Sequence, residues 1–256
     1  MTMLTRLIKL STYAALTLPV LLATAQAQDT LRVGATPTAV PFNFLDTKTN
    51  TLQGVMIDIT EALGKELGFK PDLRPIPFGG LVPSLQTDKI DMISSAFAIN
   101  AQRAQVVDFS EELFAYSEEV IANSKDETVY NSSADFAGKT VGVQTGTVSV
   151  DPMKAQQGIK ELRMYDSMAD MVREVALGRI DVAVGDGPVM LYTVKQSGSS
   201  KLRVADDYNK QIRIAIGVAV RKGNSELLAR INGGVAKLKS DGTLDAILAK
   251  WNIKKL

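Results

Sequence analysis

Two charged side chains are placed where they could bind the ionic groups of a small molecule. Arg103 follows a predicted strand, and a guanidinium there can hold a carboxylate through two parallel hydrogen bonds. Asp186 follows the apolar run Ile180–Val184, and its carboxylate can accept hydrogen bonds from an ammonium group. Two other roles stay open: Arg103 as a solvated helix arginine, and Asp186 as the N-cap of a helix with Pro188 in its first turn.

A turn and three aromatic residues could complete such a site. The turn spans residues 144–149 (QTGTVS) after the predicted strand Thr140–Val143, and a helix start there would offer N–H groups to an anion. An ordinary strand-to-helix connection explains the turn equally well. Among Phe42, Phe44 and Phe78, the last precedes two glycines, so its ring could form a wall under a ligand, although Phe usually packs in the core.

The composition excludes much of catalytic chemistry. The 256 residues include no cysteine and no histidine. Thiol nucleophiles, disulfides, the commonest general base and the commonest transition-metal ligand are therefore absent. Ser94, Ser95 and Ser149 have no histidine partner, and the sequence has no glycine-rich phosphate loop and no G-x-S-x-G motif. We expect no catalytic residues, no cofactor and no metal; the net charge of +1 also gives no basic surface for nucleic acid.

The first 27 residues are typical of a cleaved signal peptide. Arg6 and Lys9 precede the largely apolar run Leu10–Ala23, and small residues at 25 and 27 suit signal peptidase. A membrane anchor is the alternative, but a spanning helix needs about 20 apolar residues. Removing the segment leaves 27 basic against 28 acidic side chains, a net charge of −1. Without a cysteine to carry a lipid, we expect a soluble periplasmic protein.

Short β-branched segments alternate with helical patterns along the rest of the chain. This alternation predicts an α/β fold with mostly parallel sheets, and ligands of such sheets bind at the carboxyl ends of the strands. The predicted strands that bear on the site are Leu31–Ala35, Lys89–Ser94, Thr140–Val143 and Ile180–Val184.

Seven segments, in order, resemble the polar amino-acid family (family 3) of periplasmic solute-binding proteins of ABC importers. They are LRVGATPTAVPFNF, GVMIDITEALGKELGFK, PIPFGGLVPSLQTDKIDMISSAF, QRAQVVDFSEE, GKTVGVQTGTVS, ALGRIDVAVGDGPVMLY and DGTLDAILAKW, and they span nearly the whole mature chain. The resemblance implies the α/β two-lobe periplasmic-binding-protein fold of type II, in which two crossover strands form a hinge and the lobes close on a ligand.

The same resemblance implies the limits of the lobes. The first lobe would comprise residues 28–112 plus 217–256, and the second residues 118–211. The hinge crossings would lie near 113–117 and 209–216. A family member of this kind is expected to be a monomer that delivers a small-molecule ligand to an ABC permease in the inner membrane.

Five residues take site roles by resemblance to the family. Arg103 matches the arginine that binds the ligand's α-carboxylate, and Asp186 matches the aspartate that binds its α-ammonium. The backbone N–H groups of Thr147 and Val148 would also reach the carboxylate. Phe78 stands where the family has an aromatic wall.

Other positions depart from the family and bear on ligand choice. Ala96 and Ala98 stand in a loop where a hydroxyl usually bonds the α-amino group, so one ammonium acceptor is missing. Thr36 replaces a common acid, and Ala39 replaces a common aromatic lid. Gln144 occupies a position that varies among relatives. The departures predict a roomier, less charged pocket, a ligand that is larger than a simple amino acid or lacks a free α-ammonium, and little preference for a cationic side chain.

Three functions follow, and the first is favoured. The protein is expected to be a transport receptor for an amino acid or related zwitterion or carboxylate. One alternative is an enzyme resembling cyclohexadienyl dehydratase, with Asp186 or Glu174 as the general acid. The other is a sensor subunit that presents its ligand to a membrane receptor. The sequence leaves the identity of the ligand open.

Overall fold

The computed structural model describes residues 29–205, 208, 213–254 and 256, and the fold is α/β with two lobes. The strands are β1 Asp29–Ala35, β2 Thr38–Ala39, β3 Asn43–Asp46, β4 Thr51–Gln53, β5 Phe69–Pro75, β6 Met92–Ala98, β7 Val107–Phe109, β8 Phe114–Tyr116, β9 Glu118–Asn123, β10 Thr140–Gln144, β11 Glu161–Tyr165, β12 Val182–Asp186, β13 Leu202–Val204 and β14 Ile214–Arg221. The helices are α1 Val55–Leu67, α2 Leu81–Gln86, α3 Val150–Ala155, α4 Met168–Ala176, α5 Gly187–Ser197, α6 Ser225–Ser240 and α7 Thr243–Lys250. The predicted signal peptide and residues 209–212 of the predicted second crossing lie outside the described residues.

The first lobe is built on a six-stranded sheet in the order β5-β1-β6-β14-β7, with β8 also paired to β14. Strands β5, β1 and β6 are parallel, and β14 is antiparallel to β6. Helix α1 packs against α6 and α7, and its apolar face buries Ile59 and Leu63 completely. The helix ends where Gly68 adopts a left-handed conformation and donates its N–H to the Gly64 carbonyl. A small three-stranded sheet, β2-β3-β4, adjoins this lobe.

The second lobe is built on a five-stranded sheet in the order β11-β10-β12-β9-β13. Strands β11, β10 and β12 are parallel to one another. Strand β9 is antiparallel to β12, and β13 is antiparallel to β9. Every residue of β10 and β12 is buried, as their apolar runs predict for strands covered on both faces. Because β10 and β12 are parallel neighbours, their last residues, Gln144 and Asp186, lie at the same edge of the sheet.

The chain passes between the lobes beside β8. Strand β8 pairs antiparallel with the start of β14, with Tyr116 opposite Ile214 and Phe114 opposite Ile216. After Ser117 the chain enters β9 of the second lobe. This pair overlaps the predicted crossings at 113–117 and 209–216, and the exact lobe limits stay predictions.

Two strands are displaced from their predicted positions, and the displacement matters for the site. The strand predicted at Lys89–Ser94 begins three residues later, because the Lys89 N–H donates to the Ser84 carbonyl at 2.9 Å and closes the turn after α2. It continues to Ala98. The strand predicted at Ile180–Val184 likewise runs to Asp186. The candidate residues at these strand ends are therefore part of the sheets rather than of loops.

No helix among the described residues is long and apolar enough to cross a membrane.

Gly54, which precedes α1, offers a test of the local geometry. Its φ is 128°, and a Cβ placed there would lie 2.2 Å from the Phe42 carbonyl oxygen. Gly54→Ala is expected to lower the free energy of unfolding by more than about 2 kcal/mol, because φ 128° with ψ 177° is a region that only glycine occupies readily, at a cost of roughly 1–3 kcal/mol for other residues, and the backbone clash adds to it. Chemical denaturation measures the loss.

Gly68→Ala is the matched control for that substitution. Gly68 also has a positive φ, 74°, in the left-handed region, but nothing lies within 4 Å of a Cβ built there. Its loss should stay near the conformational cost alone, about 1–2 kcal/mol. Equal losses in the two variants would mean that the contact with Phe42 is relieved without cost.

Candidate functional site

Arg103 connects the two lobes. It begins a single 3-10 turn, Arg103–Gln105, rather than the predicted longer helix. Its Nη1 donates to the Ala98 carbonyl at 2.9 Å, and its Nη2 donates to the Gly146 carbonyl at 2.8 Å. Ala98 lies in the first lobe and Gly146 in the second, so the guanidinium bridges a closed cleft. Among the described residues, the other three of its five N–H donors have no acceptor.

Two aromatic rings support the guanidinium. The Arg103 Cζ lies 3.9 Å from the centre of the Phe97 ring and 5.7 Å from that of Phe78. Burial lowers the pKa of Arg103 to about 10, so the side chain is still charged at neutral pH. No carboxylate among the described residues forms a salt bridge with it. The site therefore holds a half-buried cation on which the Asp186 charge acts only from beyond salt-bridge distance.

Asp186 is the last residue of β12 and the residue before α5. It occupies the N-cap position with Pro188 in the first turn, as the alternative predicts, but its side chain makes no capping hydrogen bond. The side chain is buried, and the Tyr116 hydroxyl hydrogen-bonds its carboxylate. Burial raises the pKa of Asp186 to about 7. Asp186 thus complements Arg103 as a buried carboxyl without a basic partner in hydrogen-bonding contact.

Glu118 is a further buried carboxyl at this edge of the second lobe. The register of β9 against β12 places it directly opposite Asp186. The Ser149 hydroxyl donates to it, and burial raises the pKa of Glu118. The acidic pair Glu118-Glu119 before an apolar run is visible in the sequence, but the register that brings Glu118 to Asp186 is not.

The loop of residues 144–149, predicted to bind the ligand's carboxylate, is held by hydrogen bonds to backbone carbonyl groups. The Thr147 hydroxyl donates to the Gln144 carbonyl at 2.8 Å, and the Thr147 N–H donates to the same oxygen at 3.2 Å. The Gln144 amide donates to the Asp166 carbonyl at 2.8 Å. Among the described residues, the Val148 N–H has no acceptor. Thr147 and Gln144 therefore shape this loop, and the Val148 N–H is the donor still available for an anion.

The first lobe contributes small residues to the cleft. The Thr36 N–H donates to the Ser95 hydroxyl at 3.0 Å, while the Thr36 Oγ1 is buried without a partner among the described atoms. Ala39 is half-buried in β2. Ala96 has a positive φ of 45°, a strained conformation for a residue with a Cβ. Ala96 and Ala98 are both buried, and neither offers a hydroxyl group.

The lobes meet through two glycines. A Cβ placed on Gly146 would lie 2.9 Å from the Gly79 Cα. Gly146 also has φ 80°, which a side chain would strain. The close approach of these two backbones requires glycine at the contact point.

Two cavities lie between the lobes, and the first adjoins this contact. One of about 460 Å³ lies beside Arg103, between Phe78 of the first lobe and Val148 of the second. The other, of about 710 Å³, lies on the hinge side and is lined by Tyr116 and Trp251 among others. Both cavities are shared between the lobes, so their shapes depend on closure.

Residues 31–254 match the family described as bacterial extracellular solute-binding proteins, family 3. The chain belongs to this family. The match covers almost every described residue, and the predicted resemblance and two-lobe fold are confirmed. No group of three or more acidic side chains among the described residues is arranged to hold a metal ion.

Three similar proteins illustrate the relationship. An L-cystine-binding protein of Escherichia coli is 30% identical over 232 residues, which cover 90% of this chain and 85% of that protein. The structure of an ancestral arginine-binding protein bound to glutamine is 34% identical, with a TM-score of 0.82, and covers 89% of this chain and 100% of that one. An ancestral amino acid-binding protein described as a precursor of cyclohexadienyl dehydratase is 32% identical, with a TM-score of 0.77, and covers 87% of this chain and 94% of that one.

A substitution of Ser149 tests its hydrogen bond to the buried Glu118 carboxyl. Ser149→Ala removes the donor to Glu118 and leaves a buried acceptor unsatisfied, which costs about 1–3 kcal/mol. We expect the free energy of unfolding, measured by chemical denaturation, to fall by that amount.

The exposed hydroxyl of Ser240, which donates to the Lys237 carbonyl, serves as the control. Ser240→Ala should change the stability by no more than about 0.5 kcal/mol. A Ser149→Ala loss as small as that of the control would contradict the contact.

Proposed function

We propose that this protein binds an amino acid or related small zwitterion between its lobes and delivers it to an ABC permease in the inner membrane. The observation that carries the proposal is the placement of Arg103 and Asp186. They are oppositely charged and supplied by opposite lobes, Asp186 is buried and Arg103 half-buried, and neither forms a salt bridge within the described residues. Burying an unpaired charge costs free energy, and a zwitterion supplies both missing partners at once.

The carboxylate of the ligand would lie against Arg103. Its guanidinium is already fixed by the carbonyls of Ala98 and Gly146 and by the ring of Phe97, so little side-chain entropy is lost on binding. The Val148 N–H would add a backbone donor, and Phe78 would form a wall. Charge-assisted hydrogen bonds of this type are stronger than neutral ones.

The ammonium group of the ligand would lie against Asp186. Burial holds the pKa of Asp186 near 7, and a neighbouring cation would favour its ionised form. Ala98 offers only its carbonyl, which already accepts from Arg103. The ammonium therefore has fewer acceptors than it would have beside a hydroxyl residue at position 98.

Closure on the ligand would produce the form that a permease recognises. A ligand drives closure by as much as it binds the closed form more tightly than the open one. Family membership supports a place outside the cytoplasm, and we propose the periplasm, a cleaved signal peptide of residues 1–27 and a monomer. Neighbouring permease and ATPase genes would support transport, whereas a neighbouring receptor gene would support a sensor.

A thermal-shift screen tests the proposal. Amino acids, opines, betaines and small carboxylates would be added to the purified protein. A ligand at a thousandfold excess over its dissociation constant stabilises by about 4 kcal/mol, so a tight ligand gives a clear rise in Tm. The proposal fails if no zwitterion raises the Tm.

Arg103→Ala is expected to weaken binding of the best zwitterion by at least about 100-fold, because two charge-assisted hydrogen bonds are lost. Isothermal titration calorimetry measures the change. The control is Arg173→Ala, since Arg173 is an exposed arginine of α4 paired with Asp170. Unchanged affinity in Arg103→Ala, with the control also unchanged, would rule out the assigned clamp.

Ala98→Ser is expected to tighten binding of an amino acid by up to about tenfold, because the hydroxyl restores an acceptor for the ammonium. The deaminated form of the same acid is the matched control ligand and should gain nothing. An equal gain for both ligands would place the new hydroxyl away from the ammonium.

We propose binding without turnover. Glu174, one of the two candidate general acids, forms a salt bridge with Arg179 at 2.9 Å, which favours the ionised carboxylate rather than the protonated acid. Asp186 alone would have to act as the acid, and no histidine exists to assist it. Incubation of the pure protein with prephenate would reveal an enzyme by formation of product.

A further inference from the structure

Glu118 and Asp186 form a carboxyl pair created by strand register. They stand directly opposite each other on antiparallel β9 and β12. Opposite residues point to the same face of a sheet, with Cβ atoms about 4.5–5.5 Å apart. Their exposed fractions are 6% for Glu118 and 8% for Asp186. Two acidic groups are therefore held close together away from bulk water.

Each carboxyl has a hydroxyl group as its hydrogen-bond partner. The Ser149 hydroxyl donates to Glu118, and the Tyr116 hydroxyl hydrogen-bonds Asp186. Hydroxyl groups ease the burial of a carboxylate but do not neutralise it. The pair therefore keeps its full negative charge unless a proton or a cation joins it.

The other titratable groups that face the pair are few. Arg103 approaches Asp186 from the first lobe, and its charge favours the carboxylate form. Tyr116 and Tyr208 face the pair from the hinge and from the second lobe, and both are neutral at pH 7 because burial raises the pKa of each phenol. Apart from Arg103, no basic group among the described residues offsets the two acids.

Opening of the cleft does not separate the pair. Both strands belong to the sheet of the second lobe, and Ser149 precedes α3 of that lobe. Opening would remove Arg103 but leave Glu118 beside Asp186. Like charges at this separation cannot both ionise at their ordinary pKa values. The coupling is thus present whether the lobes are open or closed.

We propose that Glu118 and Asp186 share one proton near neutral pH, and that Glu118 thereby sets the pH range in which Asp186 is ionised. This rests on the proposed function only in that Asp186 is there assigned to the ligand's ammonium. Glu118 acts through Asp186 and is a positioning residue. A ligand ammonium would take the place of the shared proton, so ligands without a cationic group would leave the pair protonated.

In the ligand-free protein, the pair makes the stability of the fold decrease as the pH rises. Both carboxyls have raised pKa values in the fold, so the folded state binds more protons than the unfolded state. Their contribution to stability is whole only below about pH 4, the ordinary carboxyl pKa, and it is lost as the pH rises from there through about 7. Coupled groups titrate as a pair, so removing one partner changes the titration of the other.

The decisive measurement is the titration of the Asp186 carboxyl carbon by nuclear magnetic resonance, without ligand, in the wild type and in Glu118→Gln. The amide oxygen of Gln can still accept from Ser149, so the fold should be retained. We expect the midpoint of Asp186 to fall by about one pH unit or more once the neighbouring charge is removed. An unchanged midpoint would overturn the proposal.

Unfolding by denaturant between pH 5 and pH 8 gives a second measurement. The wild type should lose stability with rising pH, and both Glu118→Gln and Asp186→Asn should show a smaller loss. Glu127→Gln, which removes one exposed negative charge from the same lobe, is the control and should follow the wild type. Wild-type behaviour in both pair variants would contradict the proposal.

Neither measurement uses a ligand, so the two proposals can fail separately. If no amino acid binds but the Asp186 midpoint moves in Glu118→Gln, the proposed function fails and the proton sharing stands. If amino acids bind and the midpoint does not move, the reverse holds.

Discussion

The cleft holds two opposite charges that make no salt bridge with each other. Arg103, which is half-buried, and Asp186, which is buried, enter the cleft from different lobes, and among the described residues each has only neutral groups in hydrogen-bonding contact. Desolvation acts in opposite directions on the two groups, lowering the pKa of the base and raising that of the acid. Both pKa shifts show that each charged form is poorly solvated in the cleft. A ligand with a negative and a positive group at the right separation would supply the missing partner of each.

The architecture brings these charges together through the edges of two sheets. Asp186 lies at the carboxyl end of β12, and Arg103 follows the carboxyl end of β6 by a few residues. In each lobe the strand that leads to the site is fully buried, so its end is fixed by the core rather than by a loop. The rings of Phe97 and Phe78 then hold the guanidinium in place.

The sequence pattern predicted the class of fold, because apolar alternation is a local signal. Arg103 and Asp186 were singled out by their positions after strands together with the family resemblance, and their roles stay predictions. The pattern placed β6 and β12 two or three residues too early, since a turn closed by Lys89 is also compatible with a strand. Glu118 was missed because its importance depends on register with a strand more than 60 residues away. Phe97 was missed for a similar reason: a phenylalanine at the end of a buried strand gives no local sign that it stacks on an arginine.

The pairing of β8 has a mechanical consequence. Strand β8 leads directly into the second lobe, and it is hydrogen-bonded to the start of β14. This pairing fixes the start of that connection at the sheet of the first lobe. The contact between Gly79 and Gly146 limits how closely the two lobes can approach each other. The spacing between the outer faces of the lobes is then smallest when the cleft is closed, so the outer surface of the protein differs between its open and closed forms.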